Sequence, residues 1–358
     1  MSATPAISPE VLDRYREFFE RPAPGQILVT VPPYTCPVPP RPDSGPRRLD
    51  AWRPFEDAER MAEQAVADER HFLALTRDVG SDYVPSVNPS YGIGLCSAVF
   101  SNAPVLPGVD TSWIRPAMEA LDDLRPLRFD PDGPWFDFMR RFMRRAAELC
   151  EGDYFVTPYA AMAPSDLANA LRGNDLFTDL YDDPDGVRRL LAACVDATLR
   201  IHRELLPLRV EPEGGFVAGG MWLPGTGLFL SEDGADLCSP DAYREFFGPA
   251  TRDLVRGLGG AYIHHHARGW AIHPQIAGTP GLRFLEFSWD PKCPRPVDHL
   301  DELSELSLKV PLQTRCTLAD LPEVLPRMGS GRYALMVNVG SPEEGREAVR
   351  LVRRHSTL

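Results

Sequence analysis

Eight short runs of β-branched, aromatic and aliphatic residues recur along the chain, at Ile27–Val31, Asp82–Val87, Tyr154–Ala160, Phe216–Leu223, Ala261–His266, Phe284–Trp289, Val310–Thr314 and Tyr333–Val339. Runs of this length and make-up read as strands. Between them lie stretches with apolar residues at helical spacing: Phe55–Arg77, Trp135–Leu149, Pro184–Leu205, Pro240–Leu258, Asp298–Leu306, Ala319–Met328 and Pro342–Arg354. Strand followed by helix, repeated, favours a parallel sheet, because parallel neighbours need a long crossover and a helix supplies it. Eight such strands can close on themselves, so the predicted fold is α/β: a single (β/α)8 TIM barrel with extra N-terminal and loop segments. An open doubly wound sheet is the alternative. One domain is expected over residues 1–358, with 1–25 as an N-terminal helical extension, since 358 residues at 43% hydrophobic content can bury a barrel-sized core.

Charge and composition narrow the partners. A formal net charge of −13 repels phosphate backbones and anionic membrane surfaces, which argues against nucleic acid and lipid and for a small-molecule substrate. Residues Met1–Ile7 carry no basic segment followed by an apolar one, and no long apolar span occurs, so a cytoplasmic location is expected. The seven cysteines are dispersed and odd in number, which reads as reduced thiols. No glycine fingerprint for a dinucleotide or nucleoside triphosphate opens a helix; Gly92 and Gly94 lack that context. The only lysines are Lys292 and Lys309, one in a loop and one before a strand, which disfavours Schiff-base chemistry inside a barrel mouth.

In barrels of this kind reactive groups gather where strands end and loops begin. That rule selects Asn88, Tyr91, Tyr159, Trp222, Glu232, Asp233, His264 to His266, Asp290, Gln313 and Asn338. The most distinctive stretch is Tyr262-Ile263-His264-His265-His266-Ala267-Arg268-Gly269, in which three imidazoles end a predicted strand. Alternate side chains share a face, so His264 and His266 can converge in the mouth while His265 points away and should matter much less. Two convergent imidazoles suit a divalent metal or an acid/base pair; a hydrogen-bonded strand end is the plainer alternative. His273 is either a third ligand or a surface histidine. The loop Ser231-Glu232-Asp233-Gly234 supplies carboxylates beside the histidines, although acidic loop residues are usually only solvated. The candidate metal ligands are therefore His264, His266 and Glu232. Candidate catalytic groups are His264, Asp233, Tyr91 and Tyr159. Arg172 and Arg268 could hold a substrate carboxylate, or form structural ion pairs; Trp222 and Asn338 complete the candidate substrate-binding set. At the last helix, Ser341-Pro342-Glu343-Glu344 offers an N-cap, a proline at the first helical position and a capping-box glutamate.

Several of these segments resemble the uroporphyrinogen decarboxylase and corrinoid-dependent methyltransferase superfamily over roughly residues 60–350. The most specific stretch is Leu230-Ser231-Glu232-Asp233-Gly234, then Cys238-Ser239-Pro240 opening a helix, then Ile263 to Gly269; Tyr91-Gly92, Asp110 to Trp113 and Leu171-Arg172-Gly173 are also similar. The resemblance implies a (β/α)8 barrel and one of two activities: cofactor-independent decarboxylation, or methyl exchange with a corrinoid, often carried by a partner protein and often aided by zinc. The arginine-bearing N-terminal motif of the decarboxylases is not visible in Pro24–Pro40. The methyltransferases' His-x-Cys zinc motif falls on His264 and His266, with histidine in place of cysteine, and the later cysteine ligand falls near Asn338 to Ser341, where none stands. A metal-assisted methyl-transfer enzyme is the leading expectation. A decarboxylase or other carbon–carbon lyase, and a noncatalytic ligand-binding barrel, are the alternatives.

Overall fold

A computed structural model describes residues 6–46, 48–109, 111–289 and 292–358. Its central sheet is parallel and seven-stranded. The strands that build the barrel wall are β1 (Gln26–Thr30), β2 (Ser86–Val87), β3 (Phe155–Val156), β4 (Ala161–Met162), β5 (Leu228–Ser231), β6 (Ala261–His266), β7 (Leu282–Ser288), β8 (Leu312–Thr317) and β9 (Arg332–Asn338). Their hydrogen-bonded order is β1–β9–β8–β7–β6–β5–β4, with β2 and β3 pairing separately. The first strand lies beside the last, as a barrel requires, with Ile27 opposite Tyr333 and Val29 opposite Leu335. The wall is thus TIM-barrel-like. Between β1 and β2 the backbone ladder is replaced by Asp82, whose amide donates to the Val29 carbonyl (2.7 Å) while its carboxylate accepts the Val29 amide (2.8 Å).

Helices pack outside because the outward strand residues are apolar. Ile27, Val29, Ile263, Leu285 and Leu335 are fully buried in one core with residues such as Leu190, Leu254 and Val352 from the helices Pro184–Leu205, Gly248–Leu258 and Pro342–His355. Ser341 caps the last of these by accepting the Glu344 amide (3.3 Å), and Glu344 reaches back to the Gly340 amide (2.6 Å). The N-terminal extension contains the helix Pro9–Glu20.

One predicted strand is wrong in a way that moves a site residue. The run Phe216–Leu223 is not a barrel strand but a hairpin, Gly215–Ala218 paired antiparallel with Met221–Pro224. Gly219 and Gly220 form its two-residue turn with φ of +58° and +70°, a conformation that glycine enters without a Cβ penalty. The hairpin plugs the barrel from its N-terminal end, where it packs with Tyr15 and Phe18 of the first helix and with the inward residues Leu28, Tyr262, Phe284 and Ala334. The wall position belongs to β5, five residues further on.

Candidate metal centre

Alternation along β6 decides what each histidine meets. Tyr262, His264 and His266 face the barrel interior, and Ile263 and His265 face the helices. At the C-terminal end of the strand His264 Nε2 stands 3.2 Å from His266 Nε2. Asp233, just beyond β5, brings Oδ1 to 3.7 Å from His264 Nε2 and 3.5 Å from His266 Nε2. One ligand atom from each of the three residues lies within 4.8 Å of the others. Asp233 Oδ1 is shielded from solvent and yet accepts no hydrogen bond of ordinary geometry. Two imidazole nitrogens and one unsatisfied carboxylate oxygen aimed at a common point are a donor set that fits a divalent cation such as zinc, with further positions left for substrate.

The cluster is braced from behind. His264 Nδ1 lies 2.8 Å from Glu286 Oε2 on β7, and Glu286 also accepts the Tyr262 hydroxyl (2.6 Å). A carboxylate on Nδ1 fixes the tautomer in which Nε2 keeps its lone pair for the cavity, the usual support of a metal-binding histidine. Burial disfavours both charges, but their mutual attraction outweighs it. The His264 pKa is raised above the ordinary histidine value, and that of Glu286 is held down at about 2, helped by Arg315. Asp233 is oriented by Asp166, which accepts the Gly234 amide (2.5 Å) and the Ser231 hydroxyl (2.8 Å); that hydroxyl is also 3.1 Å from Asp233 Oδ2. Burial and the nearby Asp233 charge push the Asp166 pKa up, whereas the imidazoles keep Asp233 below its usual range.

In front of the cluster lies a cavity of about 810 Å³, a size suited to a small-molecule ligand. Tyr159, Glu69, Tyr83 and Arg315 line it together with the three ligand residues, and the Gly219–Gly220 turn of the plug forms part of its wall. Burial raises the Tyr159 pKa to about 12, so its phenol stays neutral near pH 7. Glu69, 2.8 Å from the Tyr83 hydroxyl, is raised by burial to about 7. A second cleft of about 870 Å³ shares Pro33, Tyr34 and Asn88 with the first and reaches Asn338 at the end of β9.

The structure therefore brings together His264, His266, Asp233 and Tyr159, with Asn338 in the adjoining cleft. It separates the others. Glu232 turns outward: its carboxylate is fully buried against the Tyr243 and Thr251 hydroxyls (3.1 and 2.6 Å), so Asp233 is the acidic member of the cluster. Tyr91 is core, in contact with the Trp135 and Phe138 rings, with its hydroxyl toward the Trp52 carbonyl. Trp222 belongs to the plug and packs on Tyr15 and Phe19 at the opposite end of the barrel. Arg172 pairs with Asp179 (2.8 Å) and with the Glu119 carbonyl (2.7 Å), away from the cavity. Arg268 is exposed on the turn after β6 and does not line the cavity. His273 is buried and sits 3.1 Å from the His266 carbonyl, as neither a ligand nor a surface group. Gln313 bonds to the Tyr262 hydroxyl beneath the cluster. Asp290, and Asp110 of the resembling stretch, lie outside the described residues.

Sequence reasoning missed Glu286, Asp166, Glu69 and Arg315. Glu286 lies inside a predicted strand and points inward by alternation, a signal that could have found it; Arg315 lies one residue past the predicted run Val310–Thr314, in a strand that the structure continues to Thr317. Asp166 reads as an ordinary acidic residue in a first helical turn, and Glu69 as one of many charges on a helix.

These features define a TIM-barrel-like protein whose C-terminal mouth carries a two-histidine, one-aspartate cluster able to hold a cation. The chain is similar in fold to a methyltransferase from Methanosarcina mazei, with a TM-score of 0.64 and 13% sequence identity over 96% of this chain and 98% of that one. At that identity the likeness establishes the fold. No family model matches the sequence, and no curated protein matches it. No helix among the described residues is long and apolar enough to cross a membrane.

Proposed function

We propose that this chain is a metal-assisted methyl-transfer enzyme of the uroporphyrinogen decarboxylase-like superfamily. It acts on a small molecule, with zinc held by Asp233, His264 and His266 and with a corrinoid, carried by a partner protein, as methyl source or acceptor. The observation that carries this reading is the convergence of three ligand atoms within 4.8 Å at the mouth of a barrel; the likeness in fold to a methyltransferase agrees with it. Bound zinc would supply Lewis acidity, lowering the pKa of a substrate thiol or hydroxyl and favouring its nucleophilic form. The chain does the rest. Glu286 fixes the His264 tautomer, Asp166 and Ser231 hold Asp233 in place, and the Asp233 carboxylate supplies the one anionic ligand. Tyr159 offers a neutral hydroxyl along the cavity wall, Glu69, raised by burial to about 7, offers a carboxyl poised to exchange a proton near neutral pH, and the Gly219–Gly220 turn of the plug forms part of the wall.

The test is metal analysis of the purified chain, followed by an assay of methyl exchange between methylcobalamin and a panel of thiols. About one zinc ion per chain is expected, with thiol-dependent demethylation that the His264→Ala variant lacks. No stoichiometric metal in the parent would sink the reading. Carbon dioxide release without methyl exchange would replace it with a decarboxylase, and tight binding without turnover with a noncatalytic barrel.

A further inference from the structure

Arg315 lies near the end of β8 and lines the same cavity as the cluster. Other arginines are bound to partners: Arg172 to Asp179 and a carbonyl, and Arg209, which also lines the cavity, to Glu211 and the Gly227 carbonyl. Arg315 is different. Its buried Nε has no acceptor, as is also true of Arg209, but unlike Arg209 it uses neither of its terminal nitrogens in a hydrogen bond to any described residue, and the nearest carboxylate oxygen among the described residues is Glu286 Oε1 at 3.6 Å. Glu286 Oε1 is itself without a hydrogen bond, while Oε2 is committed to His264 and Tyr262. The Tyr34 ring, 5.1 Å from the guanidinium carbon, holds the group in place without using its N–H donors. About a third of the side chain, 36%, remains open to the cavity.

An arginine with five N–H donors is costly to leave unmet in a partly buried wall, and the group that meets several of them at once is a carboxylate or its like. Glu286 cannot be that group for the whole fork, because its second oxygen serves His264. The order across the wall is His264, Glu286, Arg315 on three successive strands, so the guanidinium sits one carboxylate's width from the bracing side of the cluster.

We infer that Arg315 is the anchor for a carboxylate on the substrate, so that the substrate class is a small carboxylic acid whose reacting atom faces Asp233, His264 and His266. This deepens the methyl-transfer reading and rests on it for the identity of the reacting atom, but the anion subsite itself stands on Arg315 alone. It also accounts for a cavity whose wall is otherwise rich in carboxyl groups, Glu69, Asp233 and Glu286: a bound cation and Arg315 would supply the positive charge that an anionic substrate needs there.

The experiment is isothermal titration of the full chain as purified with propionate and succinate, against propionamide and inorganic phosphate, with metal content and melting temperature measured on the same samples. Both carboxylates should bind in the millimolar range and propionamide should not. Arg315→Gln should weaken carboxylate binding about tenfold or more, and Arg315→Lys should fall between, with metal content unchanged in both. Equal carboxylate affinity in the parent and Arg315→Gln, no carboxylate binding by the parent at tens of millimolar, or a preference for phosphate would each overturn the inference. If Arg315→Gln loses its melting transition, Arg315→Lys decides. Carboxylate binding that depends on Arg315 in a chain without metal would leave the subsite standing and remove the methyl-transfer reading; metal without carboxylate binding would do the reverse.

Discussion

The two faces of β6 carry the same residue type to opposite ends. His264 and His266 look into the cavity, where their nitrogens meet one another and an unsatisfied carboxylate oxygen. His265, between them, has no exposed surface at all. Its Nδ1 lies 2.8 Å from the Glu232 carbonyl and its Nε2 3.1 Å from Asp236 Oδ1, while its ring packs edge-on against His273. The inner face leaves its polar atoms beside an open cavity; the outer face packs its imidazole against a carboxylate, a carbonyl and a second ring and shuts water out. Three consecutive histidines thus divide into two that can do chemistry and one that ties the helical layer to the strand. The difference lies in what each side chain meets, not in the imidazole.

That contrast can be broken most directly by two alanine substitutions. His264→Ala should remove the bound metal and lower turnover by about two to four orders of magnitude, with circular dichroism and melting temperature close to the parent. Retained metal and full activity would take His264 out of the mechanism and leave the acidic loop as the alternative. His265→Ala should do the opposite: metal stays with the folded fraction, but the fold loses about 2–4 kcal/mol in denaturant titrations, because a buried acceptor pair and a ring-sized space are left behind. This replaces the expectation that His265 matters little. Gly269→Ala should behave like His265→Ala, since a methyl there would overlap both Asp236 Oδ1 and His265 Nε2.

A smaller effect compares two buried glutamates in the cavity wall. Glu286 has an imidazole and a guanidinium nearby and stays ionised; Glu69 has only the Tyr83 hydroxyl, and burial raises it from 4.5 to about 7. Its folded pKa is the higher one, so its contribution to stability is complete below pH 4.5 and is lost as pH rises through about 7. Glu69→Gln should flatten that part of the stability profile, by at most about 3 kcal/mol for the full shift. A profile with the same slope in parent and variant would show that Glu69 ionises normally. A change confined to stability is expected at Arg172, where replacement by methionine should leave metal and activity untouched and cost about 1–3 kcal/mol, because the shielded Asp179 carboxylate and the Glu119 carbonyl lose their donor.

Much of this was legible in advance because it rests on period. A period of two along Ala261–His266 puts His264 and His266 on one face, and strand-then-helix repetition makes a parallel barrel-like wall; the strand has the same bounds in the structure. The glycine pair at 219 and 220 was also a readable hairpin signal, and overlooking it placed Trp222 at the wrong end. Glu232 and Asp233 show where period stops helping. In the loop after β5 neither residue has a repeating partner to fix its direction. A wide helical turn at Tyr243–Phe247 helps bring the Tyr243 and Thr251 hydroxyls to Glu232, while Asp166, from a helix 65 residues from Ser231 in sequence, orders the Ser231–Gly234 loop at Asp233.

The sequence by itself determined the wall, its direction and the inward pair of histidines, since these follow from local alternation and from the need to cover apolar strand faces with helices. Only the tertiary structure decided which carboxylate joins that pair, which glutamate braces it and which arginine is left with its donors unmet. Those choices depend on side chains from β5, β7, β8 and the helix Pro164–Arg172 meeting at one point, and such proximity leaves no periodic trace in the chain.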